Sequence, residues 1–166
     1  MISSNYLSVW SLFQKEVLRF IKVGVQTIIG PAVSSLLFLA VFSLALGRSI
    51  NEINGIPFEN FIAPGLIMMT ILQNSFANPA SSIGQAKFQG NIVDVLMAPL
   101  NNVELTLGYL GGSIARGLLC GFVTGLVIYF FIPFEIYSLI SLVFYSFMGS
   151  IMMGSLGIIV GIWADK

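Results

Sequence analysis

IYSLISLVFYSFMGSIMMGSLGIIVGIWA, residues 136–164, runs for 29 positions without a charged side chain. About 20 apolar residues in helix cross the hydrocarbon of a bilayer, so the stretch is long enough to span one. It lacks the alternation of polar and apolar residues that marks a lipid-facing barrel strand. Lipid also offers backbone groups no hydrogen-bond partner outside their own segment, which leaves a helix as the reading. Working outward, the same logic selects three more stretches. They are 23–47 between Lys22 and Arg48, 60–86 between Glu59 and Lys87, and 103–132, built around the uncharged run 117–134 between Arg116 and Glu135. The expected fold is an all-α polytopic transmembrane bundle with four spans, forming one domain over residues 1–166.

Composition agrees. Of 166 residues 57% are hydrophobic and 8% charged, against about 25% charged in a soluble domain, so a soluble domain is excluded. Seven basic residues balance seven acidic ones, leaving no positive excess to neutralise a phosphate backbone and no nucleic-acid partner. With no histidine and one cysteine, Cys120, the chain has no internal disulfide and no residues for a zinc site, so no metal is expected. No Asp or Glu lies well inside a span, which disfavours membrane catalysis and proton coupling through a buried carboxylate. No G-x-x-x-x-G-K-[ST] loop is present, so the chain supplies no ATPase by that route. A scaffold, a channel or a transporter driven from its inner face remains.

Basic residues near span ends collect on the cytoplasmic side. With four spans Lys15, Arg19, Lys22, Lys87 and Lys166 share one side and Arg48 takes the other, so both termini are expected in the cytoplasm. The first apolar stretch exceeds the roughly 7–15 residues of a signal peptide and reads as a retained span. Ahead of it Tyr6, Trp10, Phe13, Val17 and Phe20 recur at helical spacing, opposite Ser8, Ser11, Lys15, Arg19 and Lys22. This pattern predicts a helix over 1–22 lying flat in the interface, its cations toward anionic lipid or a partner. Gly30-Pro31 predicts a kink in the first span, and Arg48–Pro57 a short outer loop.

The second span carries Gln73, Asn74, Ser75, Asn78, Ser81, Ser82 and Gln85 among apolar residues. Amides in hydrocarbon cost free energy unless paired or hydrated, so this face should meet other helices or a wet cavity. Gln73, Asn74 and Asn78 are candidates for a translocation path. The alternative is adhesion between helices, at about 0.6 kcal/mol each. Their Met and Phe neighbours suit an amphipathic cargo. Residues 87–99 return through the cytoplasm as an amphipathic helix, with Phe88, Ile92, Val95 and Leu96 on one stripe and Lys87, Asn91 and Asp94 on the other, stopped by Pro99. Asn101 to Glu104 reads as a capping box opening the third span. Ser113, Gly117, Gly121 and Gly125 then form a ridge of small residues, with a second notch at Gly157 and Gly161, both suited to close helix packing. Arg116, beside the ridge, either snorkels to the inner boundary or joins a buried ion pair.

The stretch from Phe61 to Gly117 resembles the type-2 permeases of ATP-binding-cassette transporters, in the bacterial branch of drug-resistance and nodulation-factor exporters. The resemblance rests on Pro64-Gly65 opening the second span, Met97-Ala98-Pro99-Leu100 closing the inner loop, and Glu104 with the Gly-rich run to Arg116-Gly117. It reaches back to Lys15-Glu16-Val17-Leu18-Arg19-Phe20. It implies that the first helix, with Lys15, Glu16 and Arg19, is a connecting helix, and that Lys87, Asn91, Ile92, Asp94, Val95 and Leu96 belong to a coupling helix on a separate nucleotide-binding subunit. That ATPase subunit would hold ATP and Mg. The present chain would bind no cofactor of its own, and it would work in the bacterial inner membrane beside a second permease, as a homodimer. The family fold has six spans, so a four-span chain is expected to be a fragment of a longer product or a truncated remnant. A non-transporting scaffold or assembly protein is the reading from another class.

Overall fold

The computed structural model describes residues 6–46, 52–53, 55–98, 100–134 and 136–164. Gly47, Arg48, Pro99, Glu135 and Lys166, used above as boundaries or in assigning sides, lie outside the described residues. Helix α1 (Tyr6–Lys22) leads through a π-helical turn (Val25–Ile29) into α2 (Gly30–Leu46). Strands β1 (Glu52–Ile53) and β2 (Ile56–Pro57) pair antiparallel around Gly55, whose φ of +80° suits a residue without a β-carbon. Helices α3 (Phe58–Phe88), α4 (Ile92–Met97), α5 (Asn102–Phe131) and α6 (Leu139–Trp163) follow. The chain is an all-α bundle carrying one small strand pair where a plain outer loop was expected. The Asn101 cap is in place: the Asn101 amide donates to Glu104 Oε2 at 2.9 Å and Asn101 Oδ1 accepts from the Asn102 amide at 2.8 Å.

Three segments are long and apolar enough to cross a membrane: Val25–Ala45, Asn102–Phe131 and Leu139–Trp163. Helix α3, which holds the second expected span, is outside this set because its amides and serines lower its hydropathy. It occupies the centre of the bundle instead. Close contacts along α3 fix its neighbours: Gly149, Gly157 and Gly161 of α6 face Met68, Pro79 and Ile83 in the same order, so these two helices run parallel. Gly112, Gly121 and Gly125 of α5 face Asn78, Ile71 and Ile67 in reverse order, so this pair is antiparallel. Helix α2 is also antiparallel to α3, joined by the Ser35 and Thr70 hydroxyls at 2.9 Å and by Ser43 bonded to Glu59.

The glycine ridge differs in extent from the sequence expectation. A β-carbon would overlap Ser75 Oγ if placed at Gly117, the Ile71 side chain at Gly121, and the Phe76 carbonyl at Gly157. At Gly161 it would lie 3.0 Å from Ile83 Cβ, and at Gly125 its nearest neighbour would be Ile67 Cδ1 at an ordinary 3.7 Å. Close approach therefore stops short of Gly125 and extends the other way, to Gly108, Gly111 and Gly112, against which Leu12, Phe13 and Glu16 of α1 pack. Helix α1 thus leans on the first three turns of α5. Its buried face is Leu12, Glu16 and Phe20, while Tyr6 and Trp10 remain 80% and 57% exposed.

Proline shapes two helices and α5 accommodates both. Proline has no N–H for the carbonyl four residues back. For Pro31 that acceptor is Thr27 O; the chain answers with the π turn at Val25–Ile29, and the Cys120 thiol donates to Thr27 O at 3.2 Å. For Pro79 it is Ser75 O, and Ser113 Oγ donates to it at 2.6 Å. Prolines persist in membrane helices where neighbouring side chains re-satisfy the freed carbonyl.

Candidate functional site

Polar groups converge where α1 crosses α3 and α5. Glu16 is fully buried. Its carboxylate accepts from Ser82 Oγ at 2.6 Å and from Asn78 Nδ2 at 3.3 Å, and lies 3.4 Å from Arg19 Nη2. Arg19 also donates to Asn78 O at 2.7 Å and Asn78 Oδ1 at 3.1 Å, and through Nη1 to Ser81 Oγ at 3.2 Å. A buried carboxylate is tolerable only when paired and hydrogen-bonded, and three groups on α1 and α3, Arg19, Asn78 and Ser82, meet that need. The sequence pattern turned Arg19 toward lipid or a partner. The structure turns it inward, because its one-turn spacing from Glu16 lets both reach the hydroxyls and amide of α3.

One turn along α3, Asn74 repeats the arrangement. Asn74 Oδ1 accepts from Arg116 Nη2 at 3.3 Å while its Nδ2 donates to Thr70 O at 3.0 Å. Of the three amides expected to line a path, Asn74 and Asn78 are buried and engaged with arginines, and Gln73 is exposed on another face. The structure does not bring the three together. Lys15 is exposed beside α4 rather than joined to the Glu16 cluster.

Helix α4 has no buried residue and follows Gly90, whose φ of +76° permits the sharp exit from α3. Its Ile92 packs against the cluster of Leu12, Ile83, Tyr109 and Ile158, and Val95 is half-buried. Val93, Leu96 and Met97 are 54%, 68% and 79% exposed, and Asn91 and Asp94 face outward as well. Lys87, grouped with this loop from sequence, instead reaches α6: Nζ donates to Ile162 O and, at 2.9 Å, to Ala164 O. A cation on the last carbonyls of a helix satisfies orphan acceptors and complements the helix dipole. Sequence reading missed this tie and the α1 packing on Gly108 to Gly112. Their small residues were visible, but not which helix would face them.

Residues 8–166 match the ABC-2 type transporter family. The inner membrane transport permease YadH of Escherichia coli (strain K12) is 34% identical over 164 residues, 99% of this chain and 64% of that protein. The YadH permease of Shigella flexneri matches with the same identity and coverage. The chain therefore spans 64% of the length of these curated relatives. No solved structure matches it.

Proposed function

The chain belongs to the ABC-2 type transporter family, and on that premise we propose that it is the membrane-embedded permease part of a bacterial inner-membrane exporter. In this reading a separate ABC ATPase binds and hydrolyses ATP with Mg, and a second copy of the permease completes the pathway. Both termini of the described bundle face the cytoplasm, in keeping with the distribution of its basic residues. The four helices α2, α3, α5 and α6 are the spans.

The observation that carries the reading is the apolar, unburied surface of α4. Val93, Leu96 and Met97 project from a short helix set off by Gly90 and stay mostly exposed among the described residues. On a segment read as cytoplasmic and outside lipid, exposed apolar side chains grouped this way support a protein–protein contact. In the proposed cycle ATP binding draws the partner subunits together and moves α4, and with it the end of α3. Nucleotide then changes access only by favouring one bundle conformer over the other. Gln73, exposed at mid-length of α3, is the amide assigned to the path, while Asn74 and Asn78 hold α3 against its arginine partners.

Co-purification with a separately expressed ABC ATPase subunit of the same organism tests this. Leu96→Asp and Val93→Asp, both at exposed sites, are expected to abolish association while leaving the helical content and melting temperature of the permease unchanged. Association that survives both substitutions overturns the proposal.

A further inference from the structure

Among the described residues Arg116 has no counter-ion. Its guanidinium donates to one neutral oxygen, Asn74 Oδ1, lies beside the Cys120 thiol, and leaves Nε buried without a hydrogen bond. Among the described residues the one ion pair is Arg19 with Glu16, and Glu16 is already shared with Asn78 and Ser82. The junction of α1, α3 and α5 thus holds two guanidinium groups, stacked one α3 turn apart on Asn78 and Asn74, and a single carboxylate. An arginine withdrawn from water needs a compensating anion, and its planar fork is suited to carboxylate and phosphate oxygens.

The depth of this charge narrows the ligand. From Gly117 to the end of α5 at Phe131 the helix runs 15 residues without a charge, about 22 Å at 1.5 Å per residue, most of the thickness of bilayer hydrocarbon. Arg116 therefore lies within the hydrocarbon, in the third nearest the end of α5 on which α1 packs. It is one turn beyond Gly112, on which the interfacial helix α1 packs through Glu16. Headgroup phosphates of that leaflet lie about one helical turn away, within the span of an arginine side chain.

We propose that Arg116, backed by Asn74, is a binding site for the acidic headgroup of an amphiphile, a phosphate or carboxylate carried on an apolar tail. The tail lies along the apolar surfaces of α2 and α5, and the headgroup supplies the missing negative charge. The ligand is either an anionic phospholipid of the bilayer or the cargo itself. The second case rests on the transport reading above; the charge chemistry does not.

The complete membrane protein in a neutral maltoside detergent is titrated with dodecyl phosphate and with zwitterionic dodecylphosphocholine, and retained adducts are counted by native mass spectrometry. The wild type is expected to prefer the phosphate by about tenfold, the scale of one charge-assisted contact. Arg116→Gln is expected to lose the preference and Arg116→Lys to keep most of it, while Lys22→Gln, at an exposed site, leaves it intact. Equal preference in wild type and Arg116→Gln overturns the site. A diazirine-tagged dodecyl phosphate on the unmodified protein gives a second reading that no folding defect can confuse. Crosslinks confined to the α1, α3 and α5 junction support the site, and crosslinks spread elsewhere refute it. Displacement of the probe by phosphatidylglycerol identifies a bilayer lipid as occupant, and its persistence against that lipid identifies a cargo-type amphiphile. Loss of ATPase binding in the α4 variants is scored independently, so either reading can fail without the other.

Discussion

The hydroxyl of Ser113 on α5 donates to the carbonyl oxygen of Ser75 on α3, 2.6 Å away, and that carbonyl is the one Pro79 leaves without an amide. A defect inside one helix is thus repaired by a side chain of its antiparallel neighbour, and the repair fixes the register of the two. Gly154 of α6 leaves room for the same hydroxyl, since a β-carbon there would overlap Ser113 Oγ. Three helices meet at one hydrogen bond.

Removing that donor has a background-dependent cost. Ser113→Ala is expected to lower stability by about 1 kcal/mol, toward the upper end for a hydrogen bond between membrane helices. Pro79→Ala restores an N–H that can serve Ser75 O from within α3. Combining the two should make the Ser113→Ala penalty vanish, giving a coupling of similar size. Thermal or denaturant unfolding of the four proteins in one detergent checks this, and strictly additive losses would contradict the assignment.

The Glu16 cluster behaves as a unit. Glu16→Ala leaves the Arg19 guanidinium without its carboxylate and is expected to cost about 3 kcal/mol, the scale for breaking a buried pair on one side. Exchanging both residues for Leu and Met removes the stranded charge, and stability should recover most of the loss. Melting temperatures of the single and double variants decide it; a double variant as unstable as Glu16→Ala would show that the charge pair is not the cause.

Glycines of one apparent ridge are predicted to separate into two kinds. Gly117→Ala and Gly157→Ala place a methyl on Ser75 Oγ and on the Phe76 carbonyl, and each is expected to cost about 1–3 kcal/mol as overpacking. Gly125→Ala meets only Ile67 Cδ1 at 3.7 Å and should be neutral or stabilising by up to about 1 kcal/mol, the helix-propensity gain over glycine. Stability measurements across the three test this; a Gly125→Ala protein as destabilised as Gly117→Ala would place another helix against that position.

The long uncharged runs determined, without further information, that the chain is a bundle of membrane helices, because hydrocarbon admits no other partner for its backbone. The capping box at Asn101 was equally legible, since a cap is made within one turn of chain. A short amphipathic helix within 87–99 could be read from its stripes, although Lys87 and Phe88 continue α3 and only Ile92–Met97 form α4, and the prolines announced where the helix ladder would lack a donor. Which groups would answer those gaps could not be read. Cys120 lies 93 residues from Thr27, and Ser113 lies 38 from Ser75. The same holds for Arg19, whose place on the polar stripe of α1 suggested solvent. Its real surroundings are set by how α1 crosses α3, and helical periodicity says which residues share a face but not what that face meets. Tertiary packing alone decided that Asn74 and Asn78 would each hold an arginine, that Lys87 would cap α6, and that Arg116 would face an amide and not a carboxylate among the described residues.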